Sequence, residues 1–70
     1  MKRLRELMLE NRLTYQELAD QLKKESINVT PDALRKWAAG ERKPSVYKAL
    51  DLASFFNVSI DYLVGRSDER

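Results

Sequence analysis

Apolar residues recur along the chain at the spacing of one helix face. Leu4, Leu7 and Met8 follow the i, i+3, i+4 pattern near the start of the sequence. A second stretch shows the same pattern at Tyr15, Leu18, Ala19 and Leu22. No segment alternates apolar and polar residues as a strand does, and no internal repeat is visible. The pattern therefore predicts an all-α protein of five short helices.

Capping chemistry sets the predicted bounds of the second helix. The segment "TYQE" places Thr14 as an N-cap with Glu17 three residues later, which is the capping-box arrangement. This helix should run to about Lys24. A polar connection, "KESIN", follows it. Ile27 is the clear apolar anchor of this connection, joined by Val29, and we expect it to fold back against the domain.

The third predicted helix is short and basic. Thr30 caps it and Pro31 starts it, since proline at the first helical position loses only a donor that has no partner. It ends before Gly40, the expected left-handed residue. Arg35 and Lys36 should point outward. The inward positions should be Leu34, Trp37 and Ala38.

Two further helices complete the prediction. Ser45 caps the fourth, and its inner face should carry Val46, Ala49, Leu50, Ala53 and Phe56. Ser59 caps the short fifth helix, "IDYLV", which Gly65 closes. We expect one domain over residues 1–66, with residues 67–70 forming a flexible tail or the start of a linker.

Composition limits the classes of protein that this chain can represent. Its 70 residues, 43% hydrophobic and 34% charged, allow one small globular domain. The chain has no cysteine and no histidine, so disulfides and zinc-finger spacings are excluded and self-association is the remaining way to supplement a small core. No segment has the roughly 18 apolar residues of a membrane span. We expect a cytoplasmic protein without membrane contact.

Basic residues are concentrated in one part of the chain. The net charge is only +2, but residues 49–70 carry an excess of acids. Residues 30–48 carry two acids, Asp32 and Glu41. Against these stand five bases: Arg35, Lys36, Arg42, Lys43 and Lys48. This concentration favours a nucleic-acid surface, with a merely solvated basic surface as the alternative.

Two successive helices joined by a turn, with bases exposed on the second, have the geometry that enters a DNA major groove. The helix N-termini at Thr14 and Ser45 offer free backbone N–H groups that bind phosphate. Arg42 and Lys43 lie in the loop before the second of these ends and suit the DNA backbone.

Individual residues also have structural interpretations. Arg35 and Lys36 can simply solvate a helix surface, and Trp37 is a core residue rather than a stacking platform. Asp32 either complements the helix dipole or reads a base. Tyr15 is either core or a phosphate contact.

Catalytic residues show no suitable arrangement. Ser54, Asp51, Asp61 and the scattered Lys and Glu residues lack the spacing of a Ser-Lys or paired-carboxylate site. We therefore expect no enzyme activity, no cofactor and no bound metal.

Three segments together resemble the Cro/CI (lambda-repressor-like, XRE) helix-turn-helix proteins of bacteria and phages. These are "MKRLRELMLENRLTYQELADQL", "VTPDALRKWAAGERKPS" and "ALDLASFFNVSIDYLVGRSDE", the last similar to members from low-GC Gram-positive bacteria. The resemblance implies a compact five-helix domain whose second and third helices form the helix-turn-helix. It also implies a dimer on a pseudo-palindromic double-stranded DNA operator.

The resemblance also implies roles for particular residues. Base reading falls to Pro31, Asp32, Arg35 and Lys36. Phosphate contacts fall to Thr14, Tyr15, Thr30, Arg42, Lys43 and Ser45. Surplus apolar side chains in "FFNVSIDYL" predict a dimer interface at Phe55, Val58, Ile60 and Tyr62.

The chain departs from the family pattern at three places. About five residues are inserted between the helix-turn-helix helices, and the usual glycine there is missing. Tyr15 stands where relatives often have glutamine. Ala38 and Ala39 replace a frequent Glu-Asn pair, and Met8 replaces the arginine that often pairs with that glutamate, so that an apolar contact takes the place of an ion pair.

We predict a sequence-specific transcriptional regulator, most simply a repressor that occupies a promoter. The alternative is a protein-interaction module of the same fold, an antitoxin or anti-repressor component with a protein partner. A further interpretation is that the chain is the N-terminal domain of a longer repressor.

Overall fold

Five α-helices and no strand make up the structure, a computed structural model that describes residues 1–70. The helices are α1 (Leu4–Glu10), α2 (Tyr15–Lys24), α3 (Pro31–Ala39), α4 (Val46–Phe56) and α5 (Ile60–Val64). The principal extents are 28 × 23 × 23 Å. Helix α2 packs against α3, α1 also contacts α3, and α4 packs against α5. The all-α, five-helix prediction is confirmed.

Side-chain caps start four of the five helices, as the sequence predicts. Thr14, Thr30, Ser45 and Ser59 each accept a hydrogen bond from the backbone N–H three residues later. At α2 the capping box is complete, because Glu17 also accepts from the Thr14 backbone N–H at 2.9 Å. Such caps contribute about 1 kcal/mol each, which matters for helices too short to be stable alone.

A residue in the left-handed backbone conformation follows every helix. Besides Gly40 and Gly65, these are Arg12, Ser26 and Asn57. Only the two glycines adopt this conformation without steric cost. The sequence predicted the glycines, whereas the other three positions carry no glycine signal.

The connection between α2 and α3 folds back on the domain. Ser26 has φ +64°, and Ile27 N–H donates to the Leu22 carbonyl at 2.9 Å, which is the Schellman pattern. Ile27 and Val29 lie half-buried against the core, as predicted. The Lys48 ammonium donates to the Asn28 carbonyl at 3.1 Å and ties the connection to α4. The inserted residues therefore form an ordered helix end.

Leucine side chains form the centre of the core. Trp37 and Ala38 pack against it while remaining half-buried. Full burial of a leucine contributes about 1.5–3 kcal/mol, so these residues dominate the favourable free energy of folding. The fully buried side chains are Leu4, Leu7, Leu18, Leu22, Leu34, Leu52 and Leu63.

The predicted inner face of α4 is partly wrong. Val46 and Leu50 are 66% and 47% exposed, whereas Leu52, which the prediction omitted, is fully buried. Ala49 and Ala53 are buried as expected. The stripe at 46, 49, 50 and 53 and the stripe at 49, 52, 53 and 56 both have helical spacing. Packing against the other helices selects the second stripe and places Leu52 in the leucine core.

Helix α5 docks onto the start of α1 through Tyr62. The Tyr62 side chain is only 4% exposed, and the guanidinium carbons of Arg3 and Arg70 lie 4.5 and 5.2 Å from its ring centroid. Arg3 N–H also donates to the Leu63 carbonyl at 3.1 Å. Tyr62, expected at a dimer interface, is therefore covered within a single chain.

Residues 67–70 lie against this junction. Asp68 forms an ion pair with Arg3, and Arg70 donates to the Glu10 carboxylate at 2.8 Å. The Arg70 carbonyl accepts from Ser59 N–H at 2.9 Å. These residues together form the α1–α5 cluster: Arg3, Glu10, Tyr62, Asp68 and Arg70. The assignment of residues 67–70 to a tail or linker stays a prediction.

Candidate nucleic-acid interface

Helices α2 and α3 form the helix-turn-helix, and their packing exposes one side of α3. Ala19 is buried in α2 and Leu34 is buried in α3, so both helices turn their apolar side toward the core. Arg35 is exposed on α3, whereas Lys36 is half-buried. A helix held along one side by its apolar residues presents its polar side at the surface.

An open depression between α3 and the loop that precedes α4 collects many of the predicted site residues. Trp37 contributes to its floor along α3. From the predicted base readers it includes Asp32 and Lys36. From the predicted phosphate contacts it includes Thr30, Arg42, Lys43 and Ser45.

Two helix N-termini open on this depression. Thr30 and Ser45 each use the side-chain hydroxyl to accept one first-turn N–H, at 3.1 and 3.2 Å. Other first-turn N–H groups have no intrahelical partner, and the helix dipole places partial positive charge at the same ends. Together they form a suitable environment for phosphate oxygens.

The loop cations Arg42 and Lys43 have no carboxylate within ion-pair distance, unlike the bases of α3. Both side chains are exposed. Burial, and in second place the charge of Lys43, lowers the pKa of the Met1 amino group, which donates to the Trp37 carbonyl at 2.6 Å near the end of α3. The loop therefore carries uncompensated positive charge.

Four charged residues of α3 and the following turn are paired with one another. Asp32 accepts from Lys36 Nζ at 3.1 Å and from Arg35 Nη2 at 3.2 Å. Glu41 approaches the other Arg35 nitrogen at 3.3 Å. These hydrogen bonds, from Lys36 first and Arg35 second, lower the pKa of Asp32. We name Asp32, Arg35, Lys36 and Glu41 the α3 charge cluster.

Pro31 and Arg35 lie outside the main depression. Pro31 lines another depression, between α2 and α3, together with Asn28 and Lys23. Arg35 projects from the exposed side of α3, held by Asp32 and Glu41. The structure therefore places two of the four predicted base readers in the main depression and two outside it.

Thr14 and Tyr15 lie at a separate depression near the start of α2. Tyr15 is half-buried, and its hydroxyl accepts from Arg5 Nη1 at 2.9 Å. Core packing and a polar contact are thus both served by Tyr15. Arg5 was missed by the sequence reasoning, although an exposed base one helix before the capping box is a visible signal. Lys48 was likewise counted only as charge.

The predicted dimer residues are only partly available at the surface. Phe55, Val58 and Ile60 are half-buried against the core, and Phe55 packs edge to face on Phe56 at 5.0 Å. The larger exposed apolar side chains lie elsewhere, at Leu9, Val46, Tyr47 and Leu50.

The structure contains no side-chain group suited to a metal ion and no helix suited to a membrane. No three His, Cys, Asp or Glu side chains are grouped so that they hold a metal ion. None of the helices has the length and apolar character needed to cross a bilayer.

The sequence matches the helix-turn-helix family over residues 4–63, and the chain belongs to that family. The match confirms the resemblance to Cro/CI-type proteins. The chain is also 32% identical over 68 residues to an uncharacterized HTH-type transcriptional regulator, YobD, of Bacillus subtilis (strain 168), across 97% of this chain and 56% of that protein. It thus spans little more than half the length of that relative. No solved structure matches the chain significantly.

Proposed function

We propose that the chain binds specific sequences in double-stranded DNA and acts as a Cro/CI-type repressor on a pseudo-palindromic operator. The observation that carries this proposal is the depression beside α3. It brings the cations Arg42 and Lys43, the N-termini of two helices and the charged side of α3 onto one surface. Family membership supports the same reading.

Base reading belongs to α3, the second helix of the helix-turn-helix. A major groove about 12 Å wide admits this helix with its exposed side toward the base edges. Arg35 and Lys36 donate to guanine O6 and N7, the acceptors that distinguish this base. Pro31 and Asp32 lie at the N-terminal end of α3, which enters a groove first in this geometry.

Phosphate contacts on both sides of α3 set the register of the protein on the duplex. One DNA strand contacts the first-turn N–H groups of the helices capped by Thr30 and Ser45. The loop cations Arg42 and Lys43 contact phosphates of the same strand. Thr14 and Tyr15, supported by Arg5, serve a second position beyond the main depression. These contacts provide affinity without sequence information.

A homodimer completes the proposed operator complex. A two-fold axis near Phe55, Val58 and Ile60 places two α3 helices about 34–36 Å apart, one turn of DNA. Tyr62, being buried, supports the shape of α5 rather than contacting the second chain. Occupation of a promoter by this dimer blocks polymerase sterically, with no cofactor.

Selection of bound sequences from random double-stranded DNA tests the proposal. We expect enrichment of an inverted repeat whose half-sites lie about 10 bp apart, centre to centre. The double variant Arg35→Ala, Lys36→Ala should lose the enrichment, whereas the control Lys24→Ala should retain it. Failure of the wild-type chain to enrich any sequence would falsify the proposal.

A protein-interaction module is the second candidate, and the exposed apolar residues of α4 favour it. Val46, Tyr47 and Leu50 offer apolar area beside the DNA-facing depression. Salt separates the two functions. DNA binding weakens steeply between about 50 and 200 mM salt, whereas an apolar protein interface does not.

A further inference from the structure

The cations of the proposed DNA surface fall into two electrostatic groups. Arg42 and Lys43 are unpaired in the loop. The α3 charge cluster contains two acids and two bases, so its formal charge is zero. Between these two groups, attraction of the phosphate backbone therefore comes from the loop cations Arg42 and Lys43, because the α3 charge cluster adds no net charge.

Asp32 is the centre of the paired group. Its two carboxylate oxygens pair with different cations. Oδ2 lies 3.1 Å from Lys36 Nζ, and Oδ1 lies 3.2 Å from Arg35 Nη2. The spacings i, i+3 and i, i+4 place all three side chains on adjacent positions of α3. One carboxylate thus holds both of the principal donors proposed to read bases.

These ion pairs are accessible to solvent and therefore easily exchanged. The exposed fractions are 63% for the Asp32 side chain, 48% for Arg35 and 36% for Lys36. Solvent and salt screen such pairs, so an incoming acceptor can replace the carboxylate. A phosphate that does so lies close to the released carboxylate and is repelled. A guanine edge offers two neutral acceptors without that repulsion.

We propose that Asp32 is a specificity-determining residue that suppresses non-specific DNA binding by holding Arg35 and Lys36 away from phosphates. On the operator, the Arg35 and Lys36 side chains leave Asp32 and donate to guanine edges instead. The freed carboxylate then accepts from the N4 amino group of a cytosine in the same groove. This role rests on the proposed function and extends it, because it concerns the ratio of specific to random binding.

The test measures dissociation constants of the selected operator and of a random-sequence duplex from 50 to 300 mM salt. Asp32→Asn keeps the shape of the side chain and removes its charge. We expect random DNA to bind about 3- to 10-fold more tightly at the low end of this range, with a salt slope steeper by about one. Affinity for the operator should stay equal or fall, so the ratio of operator affinity to random-DNA affinity should drop.

Asp51→Asn is the matched control. It makes the same charge change on α4, where Asp51 has no ion pair. Circular dichroism melting confirms that both variants are folded. An equal gain in random binding for both variants overturns the role of Asp32, as does an unchanged specificity ratio. A wild-type chain that prefers no sequence overturns the proposed function itself, and this inference with it.

Discussion

Two clusters of ion pairs use arginine in opposite ways. In the α1–α5 cluster, the Arg3 side chain is only 17% exposed, lies over Tyr62 and pairs with a residue 65 positions away. In the α3 charge cluster, Arg35 is 48% exposed and pairs with residues three and six positions away. The first cluster joins distant parts of the chain. The second links neighbours on one surface.

The difference shows which charges stabilise the fold and which remain available for a ligand. When a guanidinium packed on an aromatic ring is removed, the protein loses packing contacts as well as a charge. An exposed pair at helical spacing contributes little to stability and rearranges readily. We therefore expect substitutions in the α1–α5 cluster to change folding and substitutions in the α3 charge cluster to change DNA binding.

Tyr62 provides the largest expected effect. Tyr62→Ala should cost about 3–5 kcal/mol, since it removes a buried aromatic ring, which is comparable with the whole stability of so small a domain. Urea unfolding followed by circular dichroism measures it, with Tyr62→Leu as a milder variant that stays folded. The control is Tyr47→Ala, whose side chain is 81% exposed. A similar loss for both tyrosines would show that burial of Tyr62 is not the cause.

Lys36 and Lys43 separate base reading from backbone contact within the proposed DNA surface. Lys36→Ala should cost about 1–3 kcal/mol of operator affinity and relax the preference at one base position. Lys43→Ala should weaken all sequences alike and lower the salt slope by about one. Titration of operator and random duplexes by fluorescence anisotropy distinguishes these outcomes. Equal losses on both duplexes for Lys36→Ala contradict its base-reading role.

Arg3 and Arg35 give the direct comparison of the two clusters. Arg3→Ala should lower the thermal midpoint because it removes the contact with Tyr62 and the ion pair with Asp68. Arg35→Ala should leave the midpoint nearly unchanged and weaken operator binding. Differential scanning calorimetry and the same anisotropy titrations measure both quantities. Reversal of the two effects disproves the division between a structural and a ligand-binding cluster.

Carboxylate titrations give the smallest expected effect. Hydrogen bonds from Lys36, then Arg35, lower the pKa of Asp32, and a hydrogen bond from Arg70 lowers the pKa of Glu10. Because each folded-state pKa lies below the unfolded value, both carboxylates favour the folded state above about pH 4. That contribution is lost as the pH falls through the lowered pKa.

Carbon-detected NMR titration checks both groups in one sample. Lys36→Ala should raise the pKa of Asp32 and leave that of Glu10 unchanged. Arg70→Ala should raise the pKa of Glu10 and leave that of Asp32 unchanged. A shift of both groups in either variant indicates that the clusters are electrostatically coupled rather than independent.

Much of the candidate site was predictable because its signals are local. The caps Thr14, Thr30 and Ser45 depend on residues three positions apart, and the structure places all three as expected. The pairing of Asp32 with Lys36 also follows helical spacing, although the sequence reasoning did not use it. The contacts of Arg5 with Tyr15 and of Lys48 with Asn28 join different elements. No spacing rule predicts such contacts.

The sequence by itself determined where α2 to α5 begin and where α3 and α5 end, since capping residues and glycines act within a few residues. It also determined the concentration of bases around α3. Only the tertiary structure decided which of two equivalent stripes on α4 is buried, exposing Val46 and Leu50 and burying Leu52. It likewise placed Tyr62 between two arginines rather than at the surface. These outcomes depend on how side chains remote in sequence fit together in a close-packed interior, and local sequence patterns do not contain that information.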